Sequence, residues 1–227
     1  MKYSFKGQTP DEMQDWLELA NSDWSPTWNN FGGDPKKKTI EALLVEQGYV
    51  CAYCGRSIEA SKCHIDHFWP RKFFDGTSDG DGVTRADLTL SYQNFFASCG
   101  PQKEKQGDKA RLPSTCGDAK KAWFNEGNDI IPSSSVCESR FKYGFDGKIF
   151  PSNANDQLAK SIIEEFRLFD ESLEYERGVI TKYLEESIAN GDIADIDMEI
   201  QIWKQKNGDK LKGFCQVAVR YLEDYQI

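Results

Sequence analysis

Hydrophobic positions recur at helical spacing near both ends of the chain. A first helix is predicted after Thr9, where the apolar residues are Met13, Trp16, Leu17 and Ala20. A second helix is predicted from about Pro35 to Gly48, and beyond position 153 three further stripes repeat every three or four residues. These patterns predict an N-terminal helical segment at 1–48 and a mainly helical C-terminal region at 126–227.

The pattern between these two regions is different. From 49 to 125 the apolar runs are short and are broken by Gly, Asp and Pro. The segment Cys63 to His67 reads as a strand, in which His64 and Asp66 share one face and His67 faces the other way. Pro70 favours a turn after it. The whole chain is therefore predicted to have an α+β fold.

The chain has seven cysteines, at positions 51, 54, 63, 99, 116, 137 and 215. It starts without an apolar stretch typical of an export signal and has no run of about 18 apolar residues, so we expect a soluble, cytoplasmic protein. In a reducing compartment an odd number of thiols indicates metal binding, reactivity or burial more often than disulfides.

Four of these cysteines have the pattern of a structural zinc site. Cys51 and Cys54 lie three residues apart before Gly55, a zinc knuckle that supplies two corners of a tetrahedron. Cys99 and Cys116 follow at an interval that would form a small domain and supply the other two. The alternative is a set of buried thiols without a ligand.

Net charge first argues against a nucleic-acid enzyme. The chain has 37 acidic and 28 basic residues, a formal charge of −9, whereas phosphate binding requires clustered lysine and arginine. The charge is unevenly distributed, however: 56–121 has eleven basic and nine acidic residues, while 122–227 has twelve and twenty. Both histidines lie in the less acidic middle part.

Asp66 and His67 together have the chemistry of metal-assisted phosphodiester hydrolysis. The carboxylate can hold a divalent cation on a phosphate oxygen, and a neutral imidazole can take a proton from the attacking water. The alternative is that both histidines are structural, hydrogen-bonded residues of a zinc-stabilised core.

Four phrases of the middle segment together resemble the HNH endonucleases. They are Cys-x-Tyr-Cys at 51–54, Cys-His-Ile-Asp-His-Phe-x-Pro-Arg at 63–71, Asn-Phe-Phe-x-Ser-Cys-Gly at 94–100 and Cys-Gly-x-x-Lys at 116–120. The combination is most similar to the PtuB family, the HNH subunits of Septu-type and retron-associated anti-phage systems. The resemblance covers 49–123 strongly and the rest loosely. It implies a zinc-stapled ββα-metal (HNH) nuclease core, flanked by the two helical regions.

The resemblance also implies roles for individual residues. His67 would be the general base, Asp66 a ligand of a catalytic Mg²⁺ or Mn²⁺, and Asn94 a brace that orients the base. The structural zinc would be held by Cys51, Cys54, Cys99 and Cys116. Many HNH enzymes carry a second ion ligand directly after the last cysteine, where this chain has Gly117. His64 or Asp118 would have to supply that bond.

Charge and position suggest the residues that contact the substrate. Arg71 and Lys72, just after Asp66 and His67, and Lys120 and Lys121 could neutralise the phosphates of nucleic acid, with ordinary solvated surface as the alternative. From the resemblance, DNA is the expected target, in a defence complex with an ATPase subunit resembling PtuA that docks on the acidic C-terminal helices. Two other interpretations stay open: the same chemistry on RNA such as tRNA, and a catalytically silent zinc module that binds a partner.

Overall fold

The computed structural model describes residues 1–71, 88–100, 114–125 and 127–225 of the chain. The described elements form a mixed α+β structure, as predicted. The helices are α1 (Asp11–Glu18), α2 (Gly33–Gln47), α3 (Cys116–Lys120), α4 (Gln157–Glu165), α5 (Glu171–Ala189), α6 (Ile196–Lys204) and α7 (Cys215–Tyr225). The strands are β1 (Cys63–His67), β2 (Phe95–Cys99), β3 (Phe141–Tyr143) and β4 (Ile149–Pro151).

Both predicted N-terminal helices are confirmed, with small shifts at their starts. Pro10 precedes α1 as its cap, and the acidic side chains in the first turn suit the positive end of the helix dipole. Helix α2 ends at Gly48, which adopts a left-handed φ of 67° that favours glycine. A Cβ at this position would also lie 2.6 Å from Cγ of Leu211, so the close approach of the C-terminal region requires glycine as well.

The strand predicted at Cys63 to His67 forms an antiparallel hairpin with β2. Cys63 lies opposite Cys99, and His67 lies opposite Phe95. The short helix α3 follows and packs against both strands. Among the described residues of the middle segment, the strands and the α-helix therefore follow in the order strand, strand, helix.

A second hairpin, β3 with β4, interrupts the region that was predicted to be mainly helical. Its turn contains Gly147, whose φ is 80° and whose Cα lies so close to α5 that a Cβ would meet the carbonyl oxygen of Glu174 at 2.0 Å. The hairpin is thereby fixed on α5. Two strands of three residues are too short to leave a clear alternating pattern in the sequence.

Side chains from all three predicted segments share one hydrophobic core. Met13 and Leu43 of the N-terminal helices pack in the same cluster as Phe95 of β2 and Phe166 beyond α4. A smaller cluster joins α5, α6 and α7 around Leu184. No helix among the described residues is both long and apolar enough to cross a membrane.

Candidate metal centre and histidine site

Four buried cysteines come together from three elements. The turn between Cys51 and Gly55 supplies two sulfurs and is closed by a 2.9 Å hydrogen bond from the Gly55 nitrogen to the Cys51 carbonyl oxygen. Cys99, the last residue of β2, and Cys116, the first of α3, supply the others. All four sulfurs lie within 4.8 Å of one another.

These distances fit a tetrahedral metal ion. With zinc to sulfur bonds of about 2.3 Å, the sulfurs of an ideal tetrahedron are separated by about 3.8 Å. The Sγ atoms of Cys54 and Cys99 are 3.6 Å apart, and those of Cys99 and Cys116 are 3.5 Å apart. The cluster could therefore hold an ion such as zinc, and its four members are the predicted ones.

The thiols of the cluster influence one another strongly. Burial disfavours the thiolate of Cys51, but hydrogen bonds from the other three cysteines outweigh it and lower its pKa well below the usual value. Burial, with hydrogen bonds to the same neighbours, raises the pKa of Cys116. A divalent cation would remove this mutual influence, because metal binding requires deprotonated thiolates and releases their protons.

His67 ends β1 and is almost fully enclosed, with 7% of its surface exposed. Its Nε2 lies 2.9 Å from the carbonyl oxygen of Thr89. The ring of Trp28 meets it edge-on at a centroid distance of 4.3 Å, and Phe95 lies at 4.9 Å. Burial, with smaller contributions from nearby cations, lowers the pKa of His67 to about 4. The imidazole is therefore neutral at physiological pH.

Asn94 braces the backbone that follows His67. Its side chain accepts a hydrogen bond from the Trp69 nitrogen at 2.8 Å and donates to the carbonyl oxygens of Trp69 and Leu88, both at 3.0 Å. Its own carbonyl oxygen accepts from the Phe68 nitrogen at 3.0 Å. Both chain segments next to His67 are therefore tied to one side chain.

Asp66 points away from His67 into a separate buried pocket. The Tyr53 hydroxyl donates to its Oδ2 at 2.5 Å, and Nζ of Lys120 lies 3.2 Å from the same oxygen. Burial raises the pKa of Asp66, and the positive charge of Lys120 opposes that shift. A Cβ on Gly117 would lie 2.7 Å from the carboxyl carbon, so no side chain fits at that position.

The described residues do not assemble three metal-capable side chains around Asp66. Oδ2 already has two partners, and neither predicted second ligand completes a cluster. The ring of His64 lies against Gly100, and Asp118 accepts a hydrogen bond from Ser114. Within the described part of the chain, the four cysteines are the group of three or more metal-capable side chains that the fold assembles.

Lys120 is in the wrong place for a phosphate contact. Only 2% of it is exposed, and its Nζ donates to the carbonyl oxygens of His67 at 2.5 Å and Phe68 at 3.2 Å. The structure thus corrects its assignment to nucleic acid, because an enclosed ammonium cannot reach a substrate. Arg71 and Lys121 are exposed, whereas Lys72 lies outside the described residues.

Sequence reasoning missed the N-terminal residues that approach His67. Trp28 and Lys36 come from a different predicted segment, and only the long-range fold brings them there. The sequence shows a tryptophan-rich loop after α1 and a lysine run at the start of α2. Neither pattern indicates that these residues lie near His67.

Comparison with known proteins adds no family to this description. No protein-family model matches the chain, and no curated protein matches it. The chemistry of its own residues therefore carries the functional assignment.

Proposed function

We propose that the chain is an HNH-type endonuclease that hydrolyses phosphodiester bonds of nucleic acid. The observation that carries the proposal is His67: a neutral imidazole at the end of β1, in a strand, strand, helix arrangement beside four cysteines that could hold a metal ion. A histidine in this state can accept a proton, whereas a protonated one cannot.

The hydrogen bond of His67 decides which nitrogen is basic. A carbonyl oxygen only accepts, so the bond to Thr89 places the proton of the neutral ring on Nε2 and makes Nδ1 the unprotonated nitrogen. In the proposed reaction, water gives its proton to Nδ1 while its oxygen bonds to phosphorus. The ester bond on the opposite side breaks, and the leaving oxygen takes up a proton.

Zinc at the four cysteines would have a structural role. Four thiolates fill the coordination sphere and leave no position for water or substrate. The ion would bind the knuckle to the ends of β2 and α3, and so hold the β1 to β2 hairpin, with His67 at its edge, against the helix.

Dependence on Mg²⁺ or Mn²⁺ stays a prediction of the family resemblance. In the described arrangement, Oδ2 of Asp66 is engaged by Tyr53 and Lys120. We therefore assign no step of the reaction to such an ion.

The test is cleavage of labelled DNA and RNA by purified protein, with and without added Mg²⁺ or Mn²⁺. We expect His67→Ala to abolish cleavage while leaving the zinc content and the far-UV spectrum unchanged. Ser61→Ala, an exposed position just before β1, is the matched control and should cleave normally. Cleavage of RNA alone would replace the DNA assignment, and full activity of His67→Ala would refute the proposal.

A catalytically silent zinc module is the second candidate. It is favoured by the contacts that already occupy Asp66 and His67. Asp66 is paired with Lys120, and Trp28 lies against His67. Such a module would bind one zinc ion and cleave nothing under any of the conditions above, so the same experiment separates the two candidates.

An ATPase partner resembling PtuA completes the proposal. A free nuclease of charge −9 would be repelled by nucleic acid, and a partner can supply the missing positive charge. We expect cleavage by the mixture of the two proteins to exceed cleavage by either alone. Equal rates with and without the ATPase would contradict this part.

A further inference from the structure

A cluster of aromatic and cationic side chains lies beside His67. Trp28, half-buried in the loop between α1 and α2, contacts the imidazole. Nζ of Lys36 lies 5.1 Å from the centroid of a Trp28 ring, and the guanidinium carbon of Arg71 lies 5.3 Å from it. The negative face of an indole attracts cations at this range, so Trp28 holds two positive charges near the histidine.

A groove begins at the same lysine. It has a volume of about 280 Å³ and is lined by Gly33, Lys36, Lys37, Ile40, Glu41 and Ala60. This volume is at the lower end of the range of small-molecule sites and is enough for one nucleotide-sized group.

Charge in the groove is positive on balance. The carboxylate of Glu41 is already paired with Lys38, whose Nζ lies 2.9 Å from it. Lys36 and Lys37 have no ion pair with a carboxylate among the described residues. Beside them, Gly32 and Gly33 leave open space, because a Cβ on either would meet nothing within 4 Å. A phosphate can therefore approach the two lysines, next to which Asp34 in the first turn of α2 places one negative charge.

We propose that this cluster and groove bind the substrate strand. The phosphate next to the cleaved bond would lie between Lys36 and Arg71, and the adjoining nucleotide would occupy the groove beside Lys37. Nucleic acid is the ligand class because it alone among common polymers combines regularly spaced phosphates with flat apolar rings for Ile40 and Trp28. The inference deepens the proposed function and rests on it.

The experiment compares a lysine of the proposed site with one outside it. Lys36→Gln removes a charge at the site, and Lys182→Gln removes the same charge from an exposed position of α5 that does not line the groove. Fluorescein-labelled single-stranded DNA and RNA are titrated with the full chain, without divalent ions, at several salt concentrations. Anisotropy gives the affinity, and a denaturing gel checks that the probe is intact.

For Lys36→Gln we expect affinity to fall about fivefold at about 0.1 M salt, because one phosphate contact is lost. The slope of log affinity against log salt should decrease by about 0.7, the value for one phosphate of a single strand. Lys36→Arg should restore both values, and Lys182→Gln should match the wild type. Equal slopes for Lys36→Gln and Lys182→Gln, or no binding by the wild type, would overturn the inference.

The two proposals can fail separately. Loss of binding in Lys36→Gln, with no hydrolysis by the wild type, would support the strand site and refute the nuclease. Hydrolysis that is equally fast in Lys36→Gln and Lys182→Gln at limiting substrate would support the nuclease and refute the strand site.

Discussion

Nζ of Lys120 lies 3.2 Å from Oδ2 of Asp66 inside the protein, where 1% and 11% of the two side chains are exposed. Because Lys120 also donates to the carbonyl oxygens of His67 and Phe68, one side chain of α3 neutralises the buried carboxylate and fixes the end of β1. The pair therefore connects the helix that carries Cys116 to the strand that carries the histidine.

Removing the charge of Lys120 should destabilise the protein. Lys120→Met leaves Asp66 buried without its cation, and we expect the free energy of unfolding in urea to fall by about 3 kcal/mol. The double variant with Asp66→Asn should recover part of that loss. Lys121→Met, on the exposed neighbour, is the control and should change little. Wild-type stability of Lys120→Met would contradict the role of the pair.

The position of Lys120 could have been derived from its spacing. Cys116 and Lys120 are four residues apart, so on a helix they share a face, and a buried metal-capable cysteine turns that face inward. We assigned the lysine to phosphate from its charge alone. Local periodicity was the better guide, since it also placed His64 with Asp66 on one face of β1.

The cysteine set was predictable and the surroundings of His67 were not. Two thiols three residues apart on a turn are constrained by short-range geometry, and a metal ion requires further ligands of the same kind. By contrast, Trp28 reaches His67 across 39 residues of chain through packing of α1 and α2, for which the sequence carries no local signal. The catalytic ion at Asp66 stays a prediction of the family resemblance.

Replacing a single cysteine should distinguish the four thiols of the metal cluster from the other three thiols of the chain. Cys99→Ser removes a buried member, and we expect bound zinc to fall from about one ion per chain to nearly none, with loss of cooperative unfolding. Cys63→Ser is a matched control, because Cys63 is the partner of Cys99 in the hairpin but is outside the cluster. Zinc bound in full by Cys99→Ser would refute the four-cysteine site.

The titration of His67 can be observed directly, since the chain has only two histidines. We expect one imidazole proton signal in the NMR spectrum to titrate near pH 4, as burial lowers the pKa of His67 to about 4. His64→Gln assigns the signals by removing the other one. A titration of His67 near pH 6.5 would show that water reaches the ring freely.

The same shift predicts the direction of a pH effect on stability. The unfolded chain binds a proton at His67 near pH 6.5, whereas the folded chain does so only near pH 4. The stabilising contribution of the neutral ring is therefore complete above pH 6.5 and is lost as the pH falls toward 4. His67→Gln should flatten this part of the curve of unfolding free energy against pH. An unchanged slope between those values would contradict the assignment.

Replacing Asn94 should loosen the backbone after His67. Asn94 is 2% exposed, and Asn94→Ala leaves three backbone groups of Trp69 and Leu88 without their partner. At about 1 kcal/mol for each hydrogen bond, we expect a loss of about 3 kcal/mol in unfolding free energy. Gln93→Ala, on an exposed neighbour with one hydrogen bond to Gly7, should lose less than half of that. Equal losses would mean that the brace is not formed.

Gly117 is the position where this chain departs most clearly from the HNH pattern, and its environment explains the departure. Alanine is favoured over glycine in a helix by about 1 kcal/mol, but a Cβ here would lie 2.7 Å from the carboxyl carbon of Asp66. Overpacking of this kind costs about 1–3 kcal/mol. We therefore expect Gly117→Ala to lower the free energy of unfolding by about 1 kcal/mol in urea. Gly127→Ala is the control, because its Cβ would have no neighbour closer than 3.7 Å. A more stable Gly117→Ala protein would show that Asp66 can move away from α3 at no cost in stability.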